Sequence, residues 1–160
     1  MINTVGVVGA GTMGNGIAQT FAQCGFQVIL QDVVEPALHK ARATIEKSLA
    51  KFVEKGKLSA ADRDATLARL TTTSDLNGMA QADFIVEAAT ERVDLKLKLF
   101  GELDRISRAG VVLGSNTSSI SITMLGAATT RPELVLGMHF MNPVPLMTLV
   151  ELIKGQATSA

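Results

Sequence analysis

The sequence has no tryptophan, no tyrosine and a single cysteine, and its charges cancel. Six phenylalanines are its only aromatic rings, so it offers no evident platform on which nucleic-acid bases could stack. The lone Cys24 excludes an intramolecular disulfide framework and indicates a reducing compartment. Fifteen basic and fifteen acidic residues leave no net charge, which removes the broad electrostatic argument for a nucleic-acid or membrane partner.

No stretch has the composition of a secretory signal or a membrane span. The first basic residue is Lys40, so the N-terminus lacks the positive region of a signal peptide. The most apolar stretch, 134–153, contains His139, Pro143 and Glu151, which a lipid-spanning helix does not tolerate easily. Since 47% of the residues are apolar, the chain can form the core of one soluble domain, which we expect to be cytoplasmic.

Short apolar runs alternate with stretches of helical periodicity along the chain. The predicted strands cover 4–8, 26–30, 83–87, 111–113, 134–138 and 148–153, and the predicted helices cover 12–24, 36–53, 59–70, 91–107 and 120–125. This alternation predicts an α/β fold whose mostly parallel, doubly wound sheet is covered on both faces. A helical excursion follows the second strand, and the last strand is expected to return antiparallel.

A glycine-rich loop, Gly9-Ala-Gly11-Thr12-Met13-Gly14, follows the first predicted strand and opens the first predicted helix. The first glycine permits a tight turn, the second lets the backbone approach a pyrophosphate, and the third allows close packing of the helix on the strand. The helix N-terminus adds free N–H groups for the phosphates. The spacing alone is common, but its strand–turn–helix setting predicts a dinucleotide-binding domain of the Rossmann type over 1–160.

Asp32 ends the second predicted strand, near the ~20-residue offset at which a carboxylate binds the ribose of such a dinucleotide. A carboxylate there accepts hydrogen bonds from both ribose hydroxyls and repels a 2′-phosphate. Val33 and Val34 follow it, so no adjacent arginine would attract that phosphate. The pattern favours NAD over NADP; the structural alternative is a turn aspartate that caps the next helix.

Three polar segments follow later strands, at the edge where open α/β sheets bind ligands. They are Val-Glu-Ala-Ala-Thr-Glu at 86–91, Ser-Asn-Thr-Ser-Ser at 115–119 and His-Phe-Met-Asn-Pro at 139–143. Together with the glycine loop they resemble the 3-hydroxyacyl-CoA dehydrogenase family over essentially the whole chain. The second and third segments, with the Glu that follows them, are specific to that family, although Met141 replaces a phenylalanine that is common there.

Oxidation of a secondary alcohol requires a base for the hydroxyl proton and an acceptor for the hydride. A histidine suits the first task because imidazole ordinarily titrates near neutrality, and His139 is the candidate. A carboxylate on the other ring nitrogen would fix the tautomer, and Glu151 is expected on a strand that returns beside His139. The resemblance implies this His–Glu pair, with Ser118 binding the substrate oxygen and Asn142 lying near the nicotinamide.

The resemblance also implies NAD as the cofactor and a 3-hydroxyacyl-CoA as the substrate, which is oxidised to a 3-oxoacyl-CoA. The residues expected to contact NAD are Gly9, Gly11, Thr12, Met13, Gly14, Asp32, Ala89, Glu91, Lys96, Ser118 and Asn142. The family places its helical excursion over the coenzyme A moiety. Lys51 and Lys55 on that excursion are therefore expected to pair with the phosphates of coenzyme A. No metal ligand is expected.

Each of these residues also has an ordinary structural explanation. His139 alone would be a satisfied core histidine, Glu151 the outward residue of an edge strand, and the basic stretch a solvated helix face. The run 115–119 would be a polar turn that caps the following helix. Their occurrence together, in order and at the family's spacing, favours the functional interpretation. Cys24 is expected to be a small buried hydrophobe and His39 to be solvated.

The family ordinarily carries a second, mostly helical domain that closes the acyl pocket and forms the homodimer interface. Because the sequence ends at Ala160, we expect that domain to be absent and turnover by this chain alone to be weak or absent. Two other functions stay open at this point. One is a β-hydroxyacid dehydrogenase that acts on free acids, and the other is a noncatalytic NAD-binding module.

Overall fold

Short runs of β-branched and other apolar residues form the seven strands of one sheet. The computed structural model describes every residue from Met1 to Ala160. The strands are β1 (Thr4–Val8), β2 (Gln27–Gln31), β3 (Leu70–Thr73), β4 (Phe84–Glu87), β5 (Val112–Ser115), β6 (Val135–Phe140) and β7 (Val150–Lys154). The helices are α1 (Thr12–Gln23), α2 (Glu35–Glu54), α3 (Ala60–Ala68), α4 (Val93–Ile106) and α5 (Ile122–Ala127), with short 3-10 helices at Leu76–Gln81, Pro132–Leu134 and Val144–Leu146.

The strands lie in the order β3-β2-β1-β4-β5-β6-β7. All neighbouring strands are parallel except β6 and β7, which are antiparallel. The chain begins in the middle of the sheet, winds outward to β3, and then crosses to β4 and winds outward to β7. This reversal between β1 and β4 opens a crevice at the carboxyl ends of the strands. The predicted Rossmann-type, doubly wound sheet and its antiparallel last strand are confirmed.

Two apolar cores cover the two faces of the sheet. Adjacent residues of β4 divide between them, since Ile85 belongs to one core and Val86 to the other. This division explains the continuous apolar strands, because successive side chains point to opposite faces and both faces are covered. The first core contains Val86 and lies on the face covered by α1 and α2, where Ile17 and Ile45 are buried. The second core contains Ile85 and lies on the face covered by α4, where Phe100 is buried. None of the helices combines the length and the apolar composition needed to cross a membrane.

The helical excursion after β2 ends earlier than predicted. Ser59 caps α3 as expected, because its hydroxyl oxygen accepts the backbone N–H of Asp62 at 3.0 Å. The helix does not continue to Leu70, however. Leu70 instead begins β3, where its buried side chain joins the first core while the next two threonines remain exposed. Pairing with β2 therefore ends the helix, and neither β3 nor the 3-10 helix at Leu76–Gln81 is predicted by the sequence analysis.

The prediction of a buried Cys24 is wrong, because this residue is exposed. Cys24 is the C-cap of α1, and Gly25 beside it has a φ of +97°. The chain turns at this point toward β2, and the turn leaves the thiol in solvent. His39 is exposed on α2, as expected.

Candidate active site

Glycine sets the shape of the loop between β1 and α1. Gly9 has a φ of +101°, and a Cβ there would lie 2.6 Å from the carbonyl oxygen of Ala88. A Cβ at Gly14 would overlap the carbonyl oxygen of Gly9. At Gly11 an added Cβ would meet nothing within 4 Å, so this residue faces open space. Gly11 is also the N-cap of α1 and provides no side-chain cap, which leaves N–H groups of the first turn available to an anion.

Asp32 braces this loop from the end of β2. One carboxylate oxygen accepts the N–H of Ala10 at 2.9 Å, and the other accepts the N–H of Val34 at 2.9 Å. Val34 is the N-cap of α2, so Asp32 also holds the turn that starts this helix. Asp32 therefore combines the position predicted for the ribose ligand with the alternative structural role in a turn. Each oxygen retains acceptor capacity for a further donor. The open face at Gly11, the helix N-terminus and this carboxylate together fit the diphosphate and ribose of a dinucleotide.

A second group of predicted site residues lines a cavity of about 360 Å³ at the carboxyl ends of β4, β5 and β6. Its lining includes Met13, Ala89, Glu91, Lys96, Ser118, His139 and Asn142. Met13 and Ala89 connect this cavity to the glycine loop and to β4. The side chains of Ser118 and Asn142 are exposed and make no hydrogen bond within the chain, so their polar atoms are free to bind a ligand. The structure therefore brings together all the predicted catalytic residues except Glu151 in one cavity.

Glu151 lies on the other side of His139. The two residues are directly paired across the antiparallel strands β6 and β7. His139 Nδ1 is 3.7 Å from Glu151 Oε1, which is longer than a hydrogen bond. Both side chains retain access to solvent, with exposed fractions of 26% for His139 and 52% for Glu151. The sheet register therefore fixes the pairing, while the length of the contact remains adjustable.

Lys96 is fully buried in the wall of this cavity, and Glu87 neutralises it. Its Nζ lies 2.8 and 2.9 Å from the two carboxylate oxygens of Glu87, a side chain with no exposed surface. Glu87 also accepts the hydroxyl of Ser115 at 2.7 Å and the N–H of Ala89 at 2.7 Å. A buried carboxylate and ammonium are tolerated when they are paired and fully hydrogen-bonded. The pair joins α4 to the ends of β4 and β5.

Glu91 holds the loop that carries Ser118. Its Oε2 accepts the hydroxyl of Thr117 at 2.8 Å and that of Ser119 at 3.3 Å. Its Oε1 lies 3.5 Å from Lys96 Nζ. Ser118 lies between the two anchored residues, so its backbone is fixed while its hydroxyl stays free.

Asn116 ties the same loop to the strand of His139. Its side-chain oxygen accepts the N–H of Phe140 at 2.8 Å. The strand pairs between β5 and β6 end at Ser115 and Gly137. The Asn116 hydrogen bond therefore extends the connection between these elements to the residue next to His139.

Lys51 and Lys55 lie apart from this cavity, Lys51 in the last turn of α2 and Lys55 as the C-cap of that helix. They are exposed and line a groove of about 500 Å³ together with Lys47 and Lys57. No acidic residue lines the groove, and its far wall is formed by Pro143, Pro145 and Leu146. That wall follows Asn142 directly in sequence, so the basic groove extends toward the cavity of His139.

Comparison with known proteins decides the family. Residues 4–160 match the family model described as the NAD binding domain of 3-hydroxyacyl-CoA dehydrogenase. The chain belongs to this family. NAD is accordingly the cofactor of this chain, in agreement with the prediction from the glycine loop and Asp32.

The relatives share the sequence of this chain over nearly its whole length. A probable 3-hydroxybutyryl-CoA dehydrogenase of Deinococcus radiodurans is 50% identical over 96% of the chain and 55% of its own length. A 3-hydroxyadipyl-CoA dehydrogenase of Escherichia coli is 45% identical over 99% of the chain and 34% of its own length. The crystal structure of (S)-3-hydroxybutyryl-CoA dehydrogenase from Ralstonia eutropha superposes with a TM-score of 0.97 at 48% identity, covering 99% of this chain and 56% of that one. The chain thus spans about half the length of the 3-hydroxybutyryl-CoA dehydrogenases it matches.

Three residues that organise the site are not predicted as functional from the sequence: Glu87, Asn116 and Thr117. A signal existed for Glu87, because a carboxylate at the end of a wholly apolar strand has to find a cation or several donors once buried. Lys96 stands nine residues later on an amphipathic helix. Asn116 and Thr117 lie within a recognised segment, but sequence alone does not show which hydroxyl or amide of a polar run is buried.

Proposed function

We propose that this chain is the NAD-binding part of an enzyme that interconverts a 3-hydroxyacyl-CoA and a 3-oxoacyl-CoA by hydride transfer at C3. One observation carries the proposal: His139 pairs with Glu151 across two strands and lies in the same cavity as the free side chains of Ser118 and Asn142. The names of the relatives favour 3-hydroxybutyryl-CoA and similar acyl-CoA esters as substrates.

His139 acts as the general base in the direction of oxidation. It removes the proton from the C3 hydroxyl, and Glu151 stabilises the imidazolium that forms and orients the ring through Nδ1. Ser118 orients and polarises the same oxygen through its free hydroxyl, and Asn142, which lines the same cavity, positions the nicotinamide. NAD supplies the hydride acceptor for this step. In the reverse direction His139 returns the proton.

The cofactor is held along the crevice. The backbone of Gly9, Gly11, Thr12, Met13 and Gly14 binds the diphosphate at the start of α1, and Asp32 accepts the ribose hydroxyls. Ala89, Glu91 and Lys96, together with Ser118 and Asn142, line the nicotinamide end. The assignment is supported because the glycine loop and the cavity of His139 adjoin each other: Met13 and Ala89 belong to both regions.

Lys51 and Lys55 bind the phosphates of coenzyme A. Four lysines and no acidic residue line their groove, and ammonium groups pair well with phosphate oxygens. The groove leads along Pro145 and Pro143 toward Asn142, which gives the acyl chain a direction of entry into the cavity.

The decisive experiment follows NADH consumption with acetoacetyl-CoA and with free acetoacetate. It uses the 160-residue chain and a joined protein, in which the chain is continued by the C-terminal part of a relative. We expect the joined protein to reduce the thioester and not the free acid, and the chain alone to do so weakly or not at all.

Two outcomes would contradict this proposal. Reduction of the free acid in preference to the thioester would assign the chain to the β-hydroxyacid dehydrogenases. Tight NADH binding with no hydride transfer by the joined protein would make it a noncatalytic NAD-binding module.

As a control on the coenzyme A site, Lys51→Gln with Lys55→Gln should raise KM for acetoacetyl-CoA while leaving NADH affinity unchanged.

A further inference from the structure

The charges around the cavity of His139 do not cancel. Two carboxylates, Glu87 and Glu91, face one ammonium, that of Lys96. Among the residues that line the cavity, only Glu91, Lys96 and His139 carry or can acquire a charge. Glu151 contacts His139 from outside the cavity. The distribution of the remaining negative charge therefore depends on how Lys96 divides its contacts between its two carboxylate partners.

Lys96 is committed to Glu87. Its ammonium contacts both oxygens of Glu87 at 2.8 and 2.9 Å, and both side chains are almost completely removed from solvent. Its contact with Glu91 is longer, at 3.5 Å, and involves a single oxygen. The buried pair is thus neutral as a unit, and the unbalanced charge resides on Glu91.

Glu91 presents that charge to the cavity. Its side chain is 49% exposed and lines the same cavity as His139 and Ser118. Hydroxyl donors from Thr117 and Ser119 fix one of its oxygens without neutralising it. The carboxylate is therefore held in place beside the space in which hydride transfer would occur, and water only partly screens it.

We propose that Glu91 makes this site discriminate between the redox states of the nicotinamide, so that the oxidised, positively charged ring binds more tightly than the neutral reduced ring. The inference rests on the proposed function, in which the nicotinamide lies beside His139. The two rings have nearly the same size, so a fixed charge distinguishes them better than shape does. By linkage, tighter binding of NAD⁺ than of NADH makes bound NADH a stronger hydride donor.

The test measures dissociation constants of NAD⁺, NADH and ADP-ribose for the 160-residue chain by titration calorimetry, with NADH fluorescence as a second readout. Glu91→Gln removes the charge and keeps an oxygen that can accept from Thr117. We expect this variant to weaken NAD⁺ binding by about three- to tenfold, the range for a partly solvated charge, and to leave NADH and ADP-ribose affinities nearly unchanged. Glu91→Asp retains the charge and should retain the preference, as should the matched control Glu133→Gln on an exposed residue distant from the cavity.

A salt titration of the unaltered chain tests the same inference without any substitution. Screening of the half-exposed carboxylate should reduce the preference for NAD⁺ between about 10 mM and about 1 M ionic strength, over which the Debye length falls from ~30 to ~3 Å. A ratio of NAD⁺ to NADH affinities that is independent of salt, or equal losses of both affinities in Glu91→Gln, would overturn the inference. Failure of the unaltered chain to bind even ADP-ribose would instead contradict the cofactor site itself.

Discussion

Two pairs of oppositely charged side chains lie at the carboxyl edge of the sheet, and they differ in burial and in contact length. The Lys96–Glu87 pair is completely buried, bidentate and 2.8 Å long at its shorter contact, whereas the His139–Glu151 pair is partly exposed and 3.7 Å long. The first links α4 to β4 and, through Ser115, to β5, and the second links only two neighbouring strands. A buried pair whose donors and acceptors are all satisfied holds a single geometry, while a loose, solvated pair leaves an imidazole free to exchange a proton. We infer that the Lys96–Glu87 pair stabilises the structure of the site and that the His139–Glu151 pair takes part in its chemistry.

Removal of Glu87 should have the largest effect on stability. Glu87→Ala leaves the Lys96 ammonium buried without its main partner, and such a loss typically costs about 3–5 kcal/mol. Urea unfolding of the variant and of the unaltered chain measures the difference in free energy. A change below about 1 kcal/mol would contradict the structural role of this pair and would place it with ordinary surface ion pairs.

A third pair, Asp104 with Arg131, lies at the opposite end of the sheet. Its loss should have an intermediate effect on stability, and that effect should depend on pH. Burial raises the pKa of Asp104, but hydrogen bonds from Thr130 and Arg131 outweigh it and hold the pKa below its usual value. Because the folded-state pKa is lowered, the stabilisation is complete above the ordinary value of 3.8 and is lost as the pH falls below it.

Asp104→Asn should therefore cost about 1–3 kcal/mol at neutral pH, as expected for the loss of hydrogen bonds to a charged group. The difference from the unaltered chain should shrink as the pH falls below 3.8, because the unfolded form of the unaltered chain then takes up a proton at Asp104 while the folded form still holds this carboxylate ionised. Urea midpoints measured across this pH range provide the check, and Glu133→Gln serves as a control. A difference that stays constant down to acid pH would refute the lowered pKa.

Glu151→Gln should have the smallest effect on stability. Its side chain is more than half exposed and makes only the contact with His139, so the change should stay below about 1 kcal/mol. Turnover of acetoacetyl-CoA by the joined protein should nevertheless fall by at least about tenfold, because the imidazolium loses its orienting carboxylate. A variant that unfolds more easily than Glu87→Ala would reverse the comparison between the two pairs.

Most of the fold could be predicted from the sequence because its elements carry strong local signals. β1 is confirmed at its predicted bounds, and α1, α2 and α4 agree within a few residues, since apolar periodicity, a proline in the first turn and a terminal glycine mark them. β3 could not be predicted, because a four-residue edge strand with one buried side chain shows no alternation of apolar and polar residues. The burial of Cys24 could not be predicted reliably, because burial at a helix end depends on the direction of the next turn.

The candidate site divides in the same way. Residues such as Gly9, His139 and Glu151 stand out because their chemistry and spacing are specific. Their roles in binding and catalysis remain predictions, although the structure brings most of them to one edge. The supporting contacts of Glu87, Asn116 and Thr117 depend on which polar group faces inward after folding, and that is decided by tertiary packing rather than by local sequence.

The role of His139 in proton transfer is tested by comparing His139→Gln with the unaltered sequence in the joined protein, with NADH affinity and the rate of acetoacetyl-CoA reduction measured separately. Glutamine occupies a similar volume but cannot shuttle a proton at neutral pH. We expect a rate lower by about 10²- to 10⁴-fold with NADH affinity unchanged. A variant that keeps the rate of the unaltered protein would show that proton transfer takes place at another residue.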